Sequence, residues 1–302
     1  MDNGKPREGQ LCRLVIDGYA SDGAGVARLD GMVVFVQGGI RGEACDVRLT
    51  HVGRSALWGR VEEVVNPSPA RIFPRCLHYT KCGGCQFRHM NYAEELEAKR
   101  IRVEDALRRL GGADIHVSAI LGAEQVDRYR NKAQFPFGKD KDGRIITGFY
   151  AGRTHAIIEQ EDCLLGVEEN QPILDCIRGF MEEYHIAPYE EEIHKGLVRH
   201  VLIRKGFTTG ELMVCLVLNG NVKKLKAPEV LVERLVKLFA LAPGLDVAGE
   251  AGKAPCTGDA VCAETAAVDK MLVPAAHMVS ISCSINREKT NVILGRKGKL
   301  LW

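Results

Sequence analysis

No apolar run in the 302 residues is long enough to cross a bilayer, and no basic-then-apolar leader opens the chain. We therefore expect a cytoplasmic protein with no membrane partner. Net charge is also small: 41 Lys and Arg stand against 39 Asp and Glu. A balance of +2 does not announce nucleic acid, so any case for it must rest on where the charges sit. A dinucleotide loop is missing too. Asp22-Gly23-Ala24-Gly25-Val26-Ala27-Arg28 lacks the third glycine and leads into a strand pattern instead of a helix. What remains is 46% apolar and 26% charged, the composition of an ordinary soluble protein with two or three packed domains.

Cysteine is abundant, with eleven in the chain. Three of them, Cys76, Cys82 and Cys85, fall within ten residues around the flexible pair Gly83-Gly84. Thiolates at that spacing favour iron–sulfur clusters, zinc or copper(I). Cys163 is the best fourth ligand, because it stands in a polar turn after a strand-like run, whereas Cys12, Cys45, Cys176 and Cys215 lie within apolar patterns. Zinc ribbons carry two C-x2-C knuckles and only one is present, which favours iron–sulfur, while His78 and His89 keep zinc open. A disulfide is disfavoured, since a cytosol keeps such thiols reduced.

Short alternating runs separated by Gly-rich turns predict a small β-barrel over residues 1–65, in which nine basic residues balance nine acidic ones through residue 74. Asn66-Pro67-Ser68-Pro69 is a linker. Residues 92–110 predict a helix with Leu96, Val103, Leu107 and Leu110 on one face, a Glu95–Lys99 pair, and a Gly111-Gly112 stop. Its basic face, including Lys99, Arg100, Arg108 and Arg109, reads first as a solvated surface. Residues 128–158 predict a hairpin in which Arg128, Arg130, Lys132, Lys139, Lys141, Arg144 and Arg153 face only Asp140 and Asp142. Tyr129, Phe135 and Phe149 are interleaved. Cations with aromatics suit unpaired RNA, and equally suit a solvated edge strand with aromatics in the core. Further on we expect helices near residues 168–184 and 229–241, strands over 197–205 and 211–218, a flexible insertion at 246–277 containing Cys256 and Cys262, and renewed structure from Met278. His194 and His200 have no ligand-spaced companions and read as scaffold, as does Cys283 within its apolar strand.

Cys82-Gly83-Gly84-Cys85-Gln86-Phe87-Arg88-His89-Met90 resembles the cysteine motif of the bacterial RNA uridine C5-methyltransferases that carry a TRAM domain and a 4Fe-4S cluster. Leu77 stands where that family often has Pro, and Arg88 where it often has Gln; neither change touches a thiolate. Asp22 to Arg28, Asp30 to Val36 and Gly42-Glu43 resemble the TRAM signature, an OB-like RNA-binding barrel. The resemblance implies Cys76, Cys82, Cys85 and Cys163 as cluster ligands. It also implies that Tyr129-Arg130-Asn131-Lys132 lies near the target nucleotide, with Arg128, Tyr129, Arg130 and Lys132 as RNA contacts.

The fold expected from this resemblance is multidomain α+β. A TRAM β-barrel occupies residues 1–65, and an iron–sulfur, RNA-facing domain occupies 66–90 and 125–245. Residues 91–124 form a helical segment packing on the catalytic domain, and 278–302 form the start of that methyltransferase domain. A catalytic thiolate, which adds to C6 of uracil, and a glycine-rich SAM loop are not recognisable here, and in the family they come after the position of Trp302. Ribosomal RNA is the implied substrate. The implied reading is an RNA-recognition part that does not methylate alone, with SAM bound elsewhere and a separate methyltransferase-domain chain as a partner. Two other readings stay open: a stand-alone RNA-binding or redox-sensing iron–sulfur module, and a zinc-stapled structural protein.

Overall fold

Period-two alternation builds the first half of the chain. In β1 (Leu11–Val15) Cys12 and Leu14 are buried while Leu11, Arg13 and Val15 are exposed. The same pattern continues through β2 (Gly18–Tyr19), β3 (Gly25–Leu29), β4 (Met32–Gln37), β5 (Ala44–Val52) and β6 (Ala56–Asn66). The computed structural model describes residues 5–152, 154–240 and 275–302. It divides into two units, residues up to Val126 with Phe149–Ile158, and Asp127–Gly148 with Glu159–Trp302.

In the first unit the six strands form one sheet in the order β1-β5-β6-β4-β3-β2, with β4 and β6 parallel and the other pairs antiparallel. Leu14, Ile16, Val34, Val36, Val47, Leu49 and Leu57 form its core. Each such side chain contributes on the order of 1.5–3 kcal/mol when fully buried. Gly59 is required by the close approach of β5: a Cβ there would lie 2.5 Å from Val47 Cγ1 and 3.0 Å from the Arg48 carbonyl oxygen.

An ion pair joins this sheet to the stretch after it. Glu43 is fully buried, and its carboxylate accepts two 2.6 Å bonds from Arg71 and the amides of Ile40 (2.9 Å) and Ser68 (3.2 Å). Burial pushes the Glu43 carboxyl up, but these donors outweigh it and hold it below the ordinary range. Ile72 donates to the His89 carbonyl and Asn91 to that of Ala70. Residues 66–90, expected within the central domain, fall in the same unit as this first sheet.

Helix α1 (Tyr92–Arg109) starts where Asn91 Oδ1 accepts the Glu94 amide at 2.9 Å. It ends at Gly111-Gly112, where Gly112 has φ +64°. Lys99 pairs with Glu95, Arg100 with Glu97 and Glu104, and Arg108 and Arg109 with Asp105. Intrahelical partners thus account for Lys99, Arg100, Arg108 and Arg109 of its basic face. The expected apolar face is only partly covered, because Val103 and Leu110 are 50% and 88% exposed.

The second sheet has seven strands: β7 (Lys132–Lys139), β8 (Ile145–Tyr150), β9 (Ile157–Glu159), β10 (Val198–Lys205), β11 (Glu211–Leu218), β12 (His277–Ile285) and β13 (Lys297–Leu300). Their order is β13-β12-β11-β10-β7-β8-β9. β11 and β12 run parallel, and the connection between them includes α3 (Pro228–Leu238), which packs with α2 (Asn170–Glu183). The final segment, expected to open a separate catalytic domain, instead adds β12 and β13 to this sheet, since β12 pairs with β11 along its length. Most of the expected insertion, with Cys256 and Cys262, and Arg153 of the hairpin lie outside the described residues. The mixed α/β architecture of two sheets agrees with the expected class.

Candidate functional site

Two regions carry the chemistry, one in each unit. In the first unit, Cys76, Cys82 and Cys85 lie half-buried on a chain of turns, and none is in a disulfide. Tyr79 donates its amide to the Cys76 carbonyl, and Cys82 its amide to that of His78 at 2.8 Å. Gly83 donates to the Tyr150 carbonyl at 3.0 Å, and Cys82 bridges to Ala151. That contact needs a glycine, since a Cβ on Gly83 would sit 3.0 Å from Gly152 Cα. The Gly84 amide points at Cys82 Sγ, 3.4 Å away.

Tyr79 and His89 brace the far side of the turns. The Tyr79 hydroxyl lies 2.6 Å from both the Gln86 carbonyl and His89 Nδ1, with the two rings stacked. Burial, then the nearby Cys85 thiol, push the Tyr79 hydroxyl upward. Burial, then the Arg71 charge, push His89 down to about 4, so its imidazole is neutral. Neutral imidazole is also the form that ligates zinc, so this shift leaves the zinc reading that drew on His89 where the sequence left it.

The donor set suits a cluster in kind: three thiols outside any disulfide at C-x5-C-x2-C spacing, with backbone donors nearby. Among the described residues no three His, Cys, Asp or Glu side chains are gathered to hold a metal ion. The cysteine spacing therefore speaks for a cluster, and a preassembled cage does not.

In the second unit the strand register brings together cations that the sequence separates. Lys132 at the start of β7 faces Arg204 of β10 directly, and both are exposed. Arg130 lies two residues before Lys132, exposed in an isolated bridge to Gly166, with a bend at Asn131 between them. Like charges directly opposite each other cost stability unless an anion lies between them. Arg204 was not among the sequence candidates; only the β7–β10 register reveals it. The Tyr129 ring beside them is 52% exposed.

Other members of the cationic hairpin serve different ends. Arg128, expected to touch RNA, instead forms a two-pronged pair with Asp162 and donates to the carbonyls of Cys163 (3.0 Å) and Gly166 (3.1 Å). Its guanidinium is committed to the loop that carries Cys163. Arg144 pairs with Asp140 at 2.7 Å and Lys139 with Glu190 at 3.3 Å. Phe135 is 3% exposed and belongs to the core, while Phe149 is half-buried. Of the three interleaved aromatics, only Tyr129 presents an exposed face.

The remaining candidates are scaffold. His200 is buried in β10, and burial, then Arg199, lower it to about 4. Tyr189 holds His194 Nδ1 at 2.8 Å. Burial, then Cys215, push the Cys283 thiol up to about 12, which disqualifies it as a nucleophile. Cys45 in the first core rises to about 11 for the same first reason.

Residues 5–61 match the TRAM domain model. Over 96% of its length the chain is 36% identical to an uncharacterized RNA methyltransferase of Clostridium tetani, and over 97% it is 33% identical to one of Halalkalibacterium halodurans. Both relatives are named RNA methyltransferases, and this chain is similar to them along nearly its whole length. It spans 54% and 56% of those two relatives, about half of their length. Among solved structures, the tRNA (uracil-54, C5)-methyltransferase of Pyrococcus abyssi, in complex with S-adenosyl-L-homocysteine, matches 95% of this chain and 55% of its own. The TM-score is 0.59 at 21% identity, a likeness of fold. These matches run along nearly the whole chain and lend no support to inactivity or to a separate partner chain. No helix among the described residues is long and apolar enough to cross a membrane.

Proposed function

We propose that this chain recognises RNA for a SAM-dependent uridine C5-methyltransferase, with Arg130, Lys132 and Arg204 on phosphates and Tyr129 against an unpaired base. The observation that carries the reading is the Lys132–Arg204 juxtaposition, two exposed cations held face to face by the β7–β10 register. An RNA phosphate between them relieves their repulsion, and the exposed Tyr129, three residues before Lys132, offers the stacking that single-stranded RNA uses. The match of residues 5–61 to the TRAM domain supports the same reading.

The 4Fe-4S cluster belongs to this proposal. Cys76, Cys82 and Cys85 come from one loop, and Cys163 is assigned from the resemblance. A cluster closed by four thiolates supplies a structural fastening with no open position for substrate, and methyl transfer from SAM needs no electron. The protein's own part is to hold the thiols in turns fixed by the Gly83–Tyr150 and Cys82–His78 hydrogen bonds.

Ribosomal RNA is the substrate implied by the resemblance, while the solved structure of similar fold is a tRNA methyltransferase, so the test includes both. The chain is purified anaerobically and titrated with uridine-containing single-stranded segments of each RNA. Binding that weakens steeply as salt rises supports the proposal; absent or salt-independent binding overturns it. Labelled SAM is then added, with a full-length relative run in parallel. 5-Methyluridine made by this chain would locate a catalytic thiolate and a SAM site within its own residues.

A further inference from the structure

We propose that Arg128 is the positioning residue for Cys163: its guanidinium fixes the 162–166 loop so that the thiol is presented for cluster binding. The inference rests on the cluster reading above. Three observations carry it, all within one unit. First, the guanidinium grips the loop from several sides, pairing with both carboxylate oxygens of Asp162 and donating to the carbonyls of Cys163 and Gly166. Second, the backbone reinforces the grip, as the Arg128 amide donates to Leu164 at 2.7 Å and the Arg130 amide to Leu165 at 2.9 Å. Third, Arg128 has φ +58°, a left-handed conformation that a non-glycine residue adopts at a cost.

The third observation makes the side chain's role specific. Glycine would satisfy the backbone at position 128 more cheaply, yet an arginine stands there. Its side chain is three-quarters buried against the loop, and its planar fork matches the Asp162 carboxylate in a way that lysine cannot reproduce. The Cys163 carbonyl accepts from both the Gly166 amide and Arg128, so the residue bearing the thiol is held on either side. A loop fixed before the cluster arrives loses less freedom on binding it.

The experiment uses the full chain, reconstituted anaerobically with iron and sulfide. Wild type, Arg128→Lys, Arg128→Gly, Asp162→Ala and Cys163→Ala are compared by iron content, by the visible absorbance and electron paramagnetic resonance of the cluster, and by its rate of loss in air. Hydrogen exchange at the Leu164 to Gly166 amides is measured in the cluster-free protein. Loss of a charge-assisted clamp predicts about ten-fold faster cluster loss and about ten-fold faster exchange in the Arg128 and Asp162 variants, with unfolding temperature nearly unchanged. Arg128→Gly separates the two roles of the residue, since it relieves the backbone but still loses the clamp. If wild type and Cys163→Ala hold equal iron, the cluster assignment at Cys163 fails, and with it this inference. If wild type loads its cluster and the Arg128 and Asp162 variants keep theirs at the wild-type rate, the cluster reading stands and the positioning role is overturned.

Discussion

The Arg130, Lys132 and Arg204 strip yields a number that does not depend on knowing the RNA sequence. Each phosphate neutralised on a single strand contributes about 0.7 to the slope of log affinity against log salt. Replacing all three cations with alanine removes three such contacts and should flatten the slope by about 2. Between about 50 and 200 mM salt the wild-type chain then loses about 20-fold more affinity than the triple variant. The three side chains are exposed, and Lys132 and Arg204 repel each other across the β7–β10 pair, so their removal leaves stability unchanged or slightly raised. Fluorescence anisotropy with a labelled RNA over a salt series reads the slope directly. Lys139→Ala and Arg144→Ala serve as controls, because those cations are already paired with Glu190 and Asp140 and should change the slope far less. Equal slopes for wild type and the triple variant would refute the assignment of phosphates to this strip.

Three further outcomes concern the scaffold. Glu43→Ala leaves Arg71 without its buried partner and strands the Ile40 and Ser68 amides, which should destabilise the first unit by about 3–5 kcal/mol in urea melts, while Glu43→Leu with Arg71→Met costs less. Gly59→Ala drives a methyl into Val47 and should cost about 1–3 kcal/mol by the same measurement. His200 is held near 4, below its unfolded value of about 6.5, so the unfolded chain binds a proton that the folded chain refuses as pH falls between those values. Its stabilisation is complete above about pH 6.5 and declines toward pH 4 by about 3 kcal/mol, a decline that His200→Gln should remove from melts run across that range.

Much of this architecture was legible because it is local. Alternation in stretches such as Leu11 to Val15 gives strands directly, and the α1 helix lies within one residue of its expected end because Gly111-Gly112 stops it. The cysteine spacing and the TRAM-like run at Asp22 to Arg28 were equally visible, being short and chemically specific. What escaped reading depends on register and on distant partners. Nothing near Lys132 in the sequence points to Arg204; the antiparallel register of β7 and β10 does. Nothing local to Glu43 says that Arg71 will pair with it, a contact that ties the stretch after β6 to the first sheet. Arg128 looked like one more phosphate-seeking cation, and its left-handed backbone with its Asp162 partner turned it inward. Phe135 suited a stacking platform and a core position equally in the sequence, and it is core because β7 is buried continuously from Phe135 to Gly138.

The most direct test of the central claim is ultraviolet crosslinking of the intact chain to bound uridine-containing RNA, followed by mass-spectrometric location of the crosslinked residues. The account predicts crosslinks at Tyr129 and its neighbours through Lys132, with Arg204 protected from arginine-modifying reagents when RNA is bound. Crosslinks confined to the other unit, with Arg204 equally reactive in both states, would contradict it.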